Sequence, residues 1–114
     1  KVMLTDILPT CRKAADLPPM ECDGMDLKEN MDRGGYRYVF GEGEGYIAVS
    51  DGTVKYIWVQ EEGTEGEKKE FSELMDLSID PNETVNRIDD PAYTDRLVEL
   101  QGEIIRLFMR KLLP

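Results

Sequence analysis

The sequence predicts an α+β fold in which an antiparallel sheet of about four strands is covered on one face by a long C-terminal helix, with a short N-terminal helix before them. Three observations carry this. Val54, Tyr56 and Trp58 alternate with Lys55, Ile57 and Val59, a β-branched and aromatic run of period two. Asp51-Gly52, between Tyr46–Ser50 and that run, is a two-residue hairpin signal. Tyr93, Leu97, Leu100, Ile104, Leu107, Phe108 and Leu112 recur at spacings that place them on one face of a helix of about five turns.

Taken in order, residues 4 to 17 place Leu4, Ile7, Leu8, Cys11, Ala14, Ala15 and Leu17 at spacings of three and four, which predicts a short amphipathic helix. Thr5 or Asp6 is expected to cap it, Pro9 falls in its first turn, and Leu17-Pro18-Pro19 ends it. Met20 to Gly35 shows no sustained period and is expected to be an irregular connector. Strands are expected at Tyr36–Phe40, Tyr46–Ser50, Val54–Val59 and Phe71–Leu77, with Gly41-Glu42-Gly43-Glu44-Gly45 linking the first two and a charged loop at Glu61–Lys69. The short connections leave no room for parallel crossovers. Asp80-Pro81-Asn82 supplies turn chemistry, and Asp90-Pro91 opens the last helix, whose acidic start and basic end complement its dipole. Gly102 should cost that helix roughly 1 kcal/mol relative to Ala. The apolar stripe and the sheet each need the other as cover.

At 114 residues the chain can bury one modest core. Its 24 acidic against 14 basic residues give a net charge of -10, which argues against nucleic acid and anionic membranes as partners. The longest apolar runs, broken by Arg106 and Arg110, are too short to span a bilayer. Cys11 and Cys22 sit outside any metal-ligand spacing, and free thiols, core packing and a disulfide between them all stay open, so the compartment is not readable. Lys1-Val2-Met3-Leu4 is neither an initiator sequence nor a secretory signal, so the chain is expected to be a piece of a longer protein.

Lys55-Tyr56-Ile57-Trp58, then Glu73-Leu74-Met75-Asp76-Leu77, then Asp80-Pro81-Asn82-Glu83-Thr84-Val85-Asn86 resembles the C-terminal signature of sulfatases of the arylsulfatase type, with Met75 where the family usually has Tyr. Thr5-Asp6-Ile7-Leu8-Pro9-Thr10 with Gly24 and Leu27 is similar to an earlier passage of the same family. The resemblance implies that residues 31–114 are the C-terminal subdomain of a sulfuric ester hydrolase. Residues 1–30 would then be a helix and connector packing on a catalytic domain that this chain lacks, and an uncovered N-terminal helix would offer a face for dimerisation. The family's formylglycine, made from a Cys/Ser-x-Pro-x-Arg motif, and its divalent metal, calcium, are implied to lie outside this chain: Cys11 is followed by Arg12-Lys13-Ala14, Cys22 by Asp23-Gly24-Met25, and there is no histidine. No catalytic, cofactor or metal residue is therefore expected here.

Four features invite chemistry. The glycine-rich link lacks a phosphate-loop pattern, and its glutamates would repel an anion. Either it is a simple hairpin, or Glu42, Glu44 and Tyr46 rim the parent's substrate cleft. Asp76, Ser78, Asp80 and Asn82 alternate like the start of a calcium loop, but Pro81 replaces the required glycine and Arg87 the closing glutamate, so strand-ending and turn-capping are expected. Asn82-Glu83-Thr84 is a formal glycosylation sequon with nothing else to support it. Tyr36, Tyr38, Tyr46, Tyr56 and Trp58 are expected to pack under the helix rather than to bind a ligand. The rival reading from another class is a free-standing interaction module, and a hydrolase using paired carboxylates is weaker still.

Overall fold

The computed structural model describes every residue except Glu65 and Pro114. Contacts divide the chain into two compact units, Lys1–Val39 and Phe40–Pro114.

The first unit opens with a 3-10 turn, Leu4–Asp6, that runs into helix α1, Ile7–Ala14. Asp16 closes α1 at φ 53°, the left-handed position usually given to glycine, and the Leu17 amide donates back to the Arg12 carbonyl. No α1 side chain is buried: Ile7 and Leu8 are about half exposed, and Leu4 more so.

Asp6 does not cap α1. Its carboxylate, fully buried, turns inward and accepts from the Met3 and Met25 amides (both 2.9 Å), from Asn30 Nδ2 (3.4 Å) and from the Tyr36 hydroxyl (2.6 Å). Four donors from separated stretches thus converge on one carboxylate. The expected irregular connector is corrected: it contains helix α2, Leu27–Asp32, whose cap is Asp26 accepting from the Glu29 amide. Six residues are too few to display a period, although Asp26-x-x-Glu29 is a capping-box spacing.

The second unit is a four-stranded antiparallel sheet in the order β1-β2-β3-β4, comprising Val39–Gly43, Tyr46–Ser50, Val54–Glu62 and Lys68–Asp76, with helix α3, Thr94–Leu112, packed on it. The expected first strand is displaced because Tyr36 belongs to the Asp6 cluster of the first unit, while Gly41 to Gly43 pair as strand. The hairpin after β2 forms with Gly52 (φ 96°) and Thr53 at its tip instead of Asp51-Gly52. Asp51 holds it by accepting from the Thr53 and Val54 amides (both 2.8 Å). The expected charged loop shrinks, because Glu61 faces Lys69 and Glu62 faces Lys68 across β3 and β4, and opposite charges at directly paired positions favour continued pairing. Glu65, part of that expected loop, lies outside the described residues.

Register sorts the side chains. Val49, Tyr56 and Leu74 align across three strands, as do Ile47, Trp58 and Ser72; with Val54 they make the face that Leu100 and Ile104 of α3 cover. The Tyr56 hydroxyl finds Ser72 Oγ at 3.1 Å, which satisfies its polar end inside the core. The opposite face carries Tyr46, Val59 and Phe71 in one row and Lys55 beside Met75 in another. Tyr56 and Trp58 therefore pack as expected, whereas Tyr46 points to the other face and is 45% exposed. The stripe on α3 is buried at Leu100 and Ile104 and exposed at Leu112. Asp90 begins the helical run by accepting from the Ala92 amide (3.0 Å) ahead of a 3-10 turn at Pro91–Tyr93.

A methyl group at Gly102 would meet nothing within 4 Å. Gly102→Ala should thus recover about 1 kcal/mol, read as a rise of roughly 4–8 °C in melting temperature; no rise would show that the glycine has a packing role. Burial alone would push the Asp6 carboxyl up, but the Tyr36 hydroxyl, the two amides and Asn30 together hold it below the ordinary 3.8. Its contribution is present above the unfolded value and lost as pH falls through the folded one, so the first unit should loosen below about pH 3.8. Burial first, and Asp6 second, push Tyr36 up to about 12, so stability also declines as pH rises from 10 towards 12. Tyr36→Phe should reduce that alkaline decline and cost about 1–3 kcal/mol by leaving Asp6 short of a donor, measured by denaturant unfolding across pH.

Candidate substrate-facing hairpin

The residues singled out as a cleft rim, Glu42, Glu44 and Tyr46, fall on one hairpin at one end of the sheet. Glu42 is on β1, Glu44 is in the turn, and Tyr46 opens β2. Glycine determines its shape at two positions. Gly45 has φ 75°, and a Cβ there would lie 2.5 Å from the Gln60 carbonyl oxygen, while its own carbonyl accepts from the Gln60 amide at 2.7 Å. A Cβ at Gly43 would lie 2.1 Å from the Tyr46 ring. The tip is thus held against β3, and the ring is seated over Gly43.

Electrostatics tie one of the three down. Glu42 Oε1 accepts from Lys111 Nζ at 2.5 Å, linking β1 to the last turn of α3; both side chains are nearly half exposed, so the pair stabilises by no more than about 1 kcal/mol. Glu44 and the edge of Tyr46 face solvent. The hairpin can offer one fixed and one free carboxylate beside an aromatic face, a set suited to accepting hydrogen bonds from hydroxyl groups and stacking on an apolar ring surface. Sequence reasoning missed Lys111, which lies 69 residues from Glu42 and carries no local signal for the pairing.

The alternating acids of the Asp76–Asn82 stretch have a different use. Asp76 accepts from the Ser78 amide and hydroxyl and from the Tyr93 hydroxyl (2.6 Å), and Ser78 first, Tyr93 second, lower its pKa. The same bond raises Tyr93. Asp80 accepts from the Thr84 and Val85 amides and the Thr84 hydroxyl, and the Val85 amide is the chief reason its carboxyl is lowered. Asn86 fastens the loop to the edge of β4, accepting from the Leu74 and Ile88 amides and donating to the Ser72 carbonyl. Glu83, at φ 57°, reaches back to pair with Lys55. These oxygens are turned towards the loop's own donors, and among the described residues no group of three or more acidic, histidine or cysteine side chains is arranged to hold a metal ion. The motif Asp80-Pro81-Asn82-Glu83-Thr84-Val85-Asn86 is a structural clamp.

In the first unit, an open groove of about 720 Å³ is lined by residues that include Arg12, Leu17, Met20, Cys22 and Met25. Its cations are engaged: Arg12 donates twice to the Pro18 carbonyl, and Lys13 pairs with Asp26 at 3.1 Å. Cys11 and Cys22 are free and exposed, which removes the expectation of core packing. No helix among the described residues is long and apolar enough to cross a membrane.

No family model matches the sequence, and no curated protein matches it significantly. Among solved structures, the chain is similar to BT4656, determined in complex with its substrate D-glucosamine-2-N,6-O-disulfate, with a TM-score of 0.68 and 19% sequence identity. The similarity covers 90% of this chain but only 23% of BT4656. At that identity the likeness shows a shared fold, and this chain spans under a quarter of the protein it resembles.

Proposed function

We propose that this chain is the C-terminal subdomain of a sulfatase, which braces a larger catalytic domain and lines one side of its substrate cleft with Glu42, Glu44 and Tyr46. The observation that carries the reading is the fit of nearly the whole chain to a minor part of an enzyme whose substrate is a sulfated amino sugar. The order of Lys55-Tyr56-Ile57-Trp58, Glu73-Leu74-Met75-Asp76-Leu77 and the Asp80–Asn86 clamp agrees with it.

Chemistry gives the division of labour. Cleaving a sulfate ester requires a nucleophile and positive charge against the sulfate oxygens as the S–O bond breaks. This chain has no histidine, and neither cysteine lies in a Cys-x-Pro-x-Arg sequence, so those roles fall to the rest of the parent protein, where the resemblance implies a formylglycine and a calcium ion. The residues present suit recognition of the part of the substrate that bears no sulfate. Glu44 would accept from sugar hydroxyls, Tyr46 would present its ring, and Glu42, fixed by Lys111, would keep the hairpin in place. The uncovered apolar side of α1 and the turn before it, with Leu4, Ile7 and Leu8, is the surface expected to rest on the catalytic domain.

In the parent polypeptide, Glu44→Ala and Tyr46→Ala should each raise KM for a sulfated monosaccharide while changing kcat by no more than about twofold. Unchanged KM in both variants would remove the cleft-lining role. The isolated chain should not hydrolyse an aryl sulfate, and turnover by it would overturn the subdomain reading itself.

A further inference from the structure

Helix α3 carries apolar side chains over a wider arc than the sheet covers. Leu100 and Ile104 are buried, but Val98 (64% exposed), Ile105 (62%) and Leu112 (78%) recur every seven residues on an adjacent face, with Phe108 and Met109 between the last two. A seven-residue recurrence with apolar residues between is the seam of one helix packed along another. From Val98 to Leu112 the seam is about 21 Å long.

Charge along α3 is segregated. Asp95, Glu99 and Glu103 lie in its first half, and Arg106, Arg110 and Lys111 in its second, with Arg96 the exception, engaged by Asp51 and Glu99; Arg106 and Lys111 hold Glu103 and Glu42 in solvent-exposed pairs that contribute little and that a partner's carboxylates can exchange with. In a chain of net charge -10, a basic half-helix beside an exposed apolar seam calls for an occupant that is acidic along the matching stretch. The first half of α3 has that character.

We propose that a second copy of this chain docks on the seam, the two α3 helices lying antiparallel about a two-fold axis at Ile105. In this arrangement each acidic half meets the basic half of the other helix and the macrodipoles oppose, whereas a parallel alignment would bring like charges together. Ile105 meets itself, and Val98 faces Leu112 of the second copy. Met109, 51% exposed, enters the open space beside Gly102 of the second copy, where a Cβ would touch nothing. The overall repulsion between two acidic copies is screened beyond about 10 Å at moderate salt, so the local match decides.

Sedimentation equilibrium of the 114-residue chain over a concentration series at moderate salt tests this. A monomer–dimer equilibrium is expected. Ile105→Glu, at a position already mostly exposed and with folding checked by circular dichroism, sets two carboxylates against each other on the axis and should weaken association at least about tenfold. Leu8→Glu, on the exposed face of α1, should leave association unchanged. A wild-type chain monomeric throughout, Ile105→Glu associating as tightly as wild type, or dissociation caused by Leu8→Glu would each overturn the proposal.

Discussion

The second unit depends on one packing contact, the burial of Leu100 and Ile104 of α3 on the Val49–Tyr56–Leu74 row of the sheet. Each fully buried aliphatic side chain contributes about 1.5–3 kcal/mol. A sheet covers only one side of a helix, so burying Leu100 and Ile104 leaves Val98 and Ile105, on another side of α3, uncovered.

The first unit solves a different problem. With α1 burying no side chain, an aliphatic core is replaced by a polar one, in which Asp6 gathers donors from Met3, Met25, Asn30 and Tyr36. A buried carboxylate without a full set of donors is costly, so the cluster holds only as long as all four stretches stay in place. The clamp at Asp80–Asn86 follows the same logic: its carboxylates and amide close a loop that would otherwise leave the edge of β4 unpaired. In both places the acids are consumed by the protein's own amides and hydroxyls.

Much of this was legible from residue order. Period two at Val54–Val59 and the seven-position stripe from Tyr93 to Leu112 gave the sheet and its covering helix because each repeats long enough to outweigh local noise. Helix α2 was not legible from periodicity, since six residues show less than two turns, and the lengthening of β3 and β4 into Glu61-Glu62 and Lys68-Lys69 depends on cross-strand charge pairing that no single strand displays. The inward turn of Asp6 was hidden because a short acid before a helix reads as a cap, and only tertiary structure brings Tyr36 to it. Of the candidate site, the common placement of Glu42, Glu44 and Tyr46 on one hairpin followed from their proximity in sequence, while the Lys111 tether did not.

In the proposed reading this chain is an appendage whose partners in catalysis lie elsewhere in a longer polypeptide. Sequencing the reading frame upstream of Lys1 tests this most directly. The account predicts an in-frame Cys/Ser-x-Pro-x-Arg motif within a catalytic domain several times the length of this chain. A stop codon followed by a start codon immediately before Lys1 would contradict it.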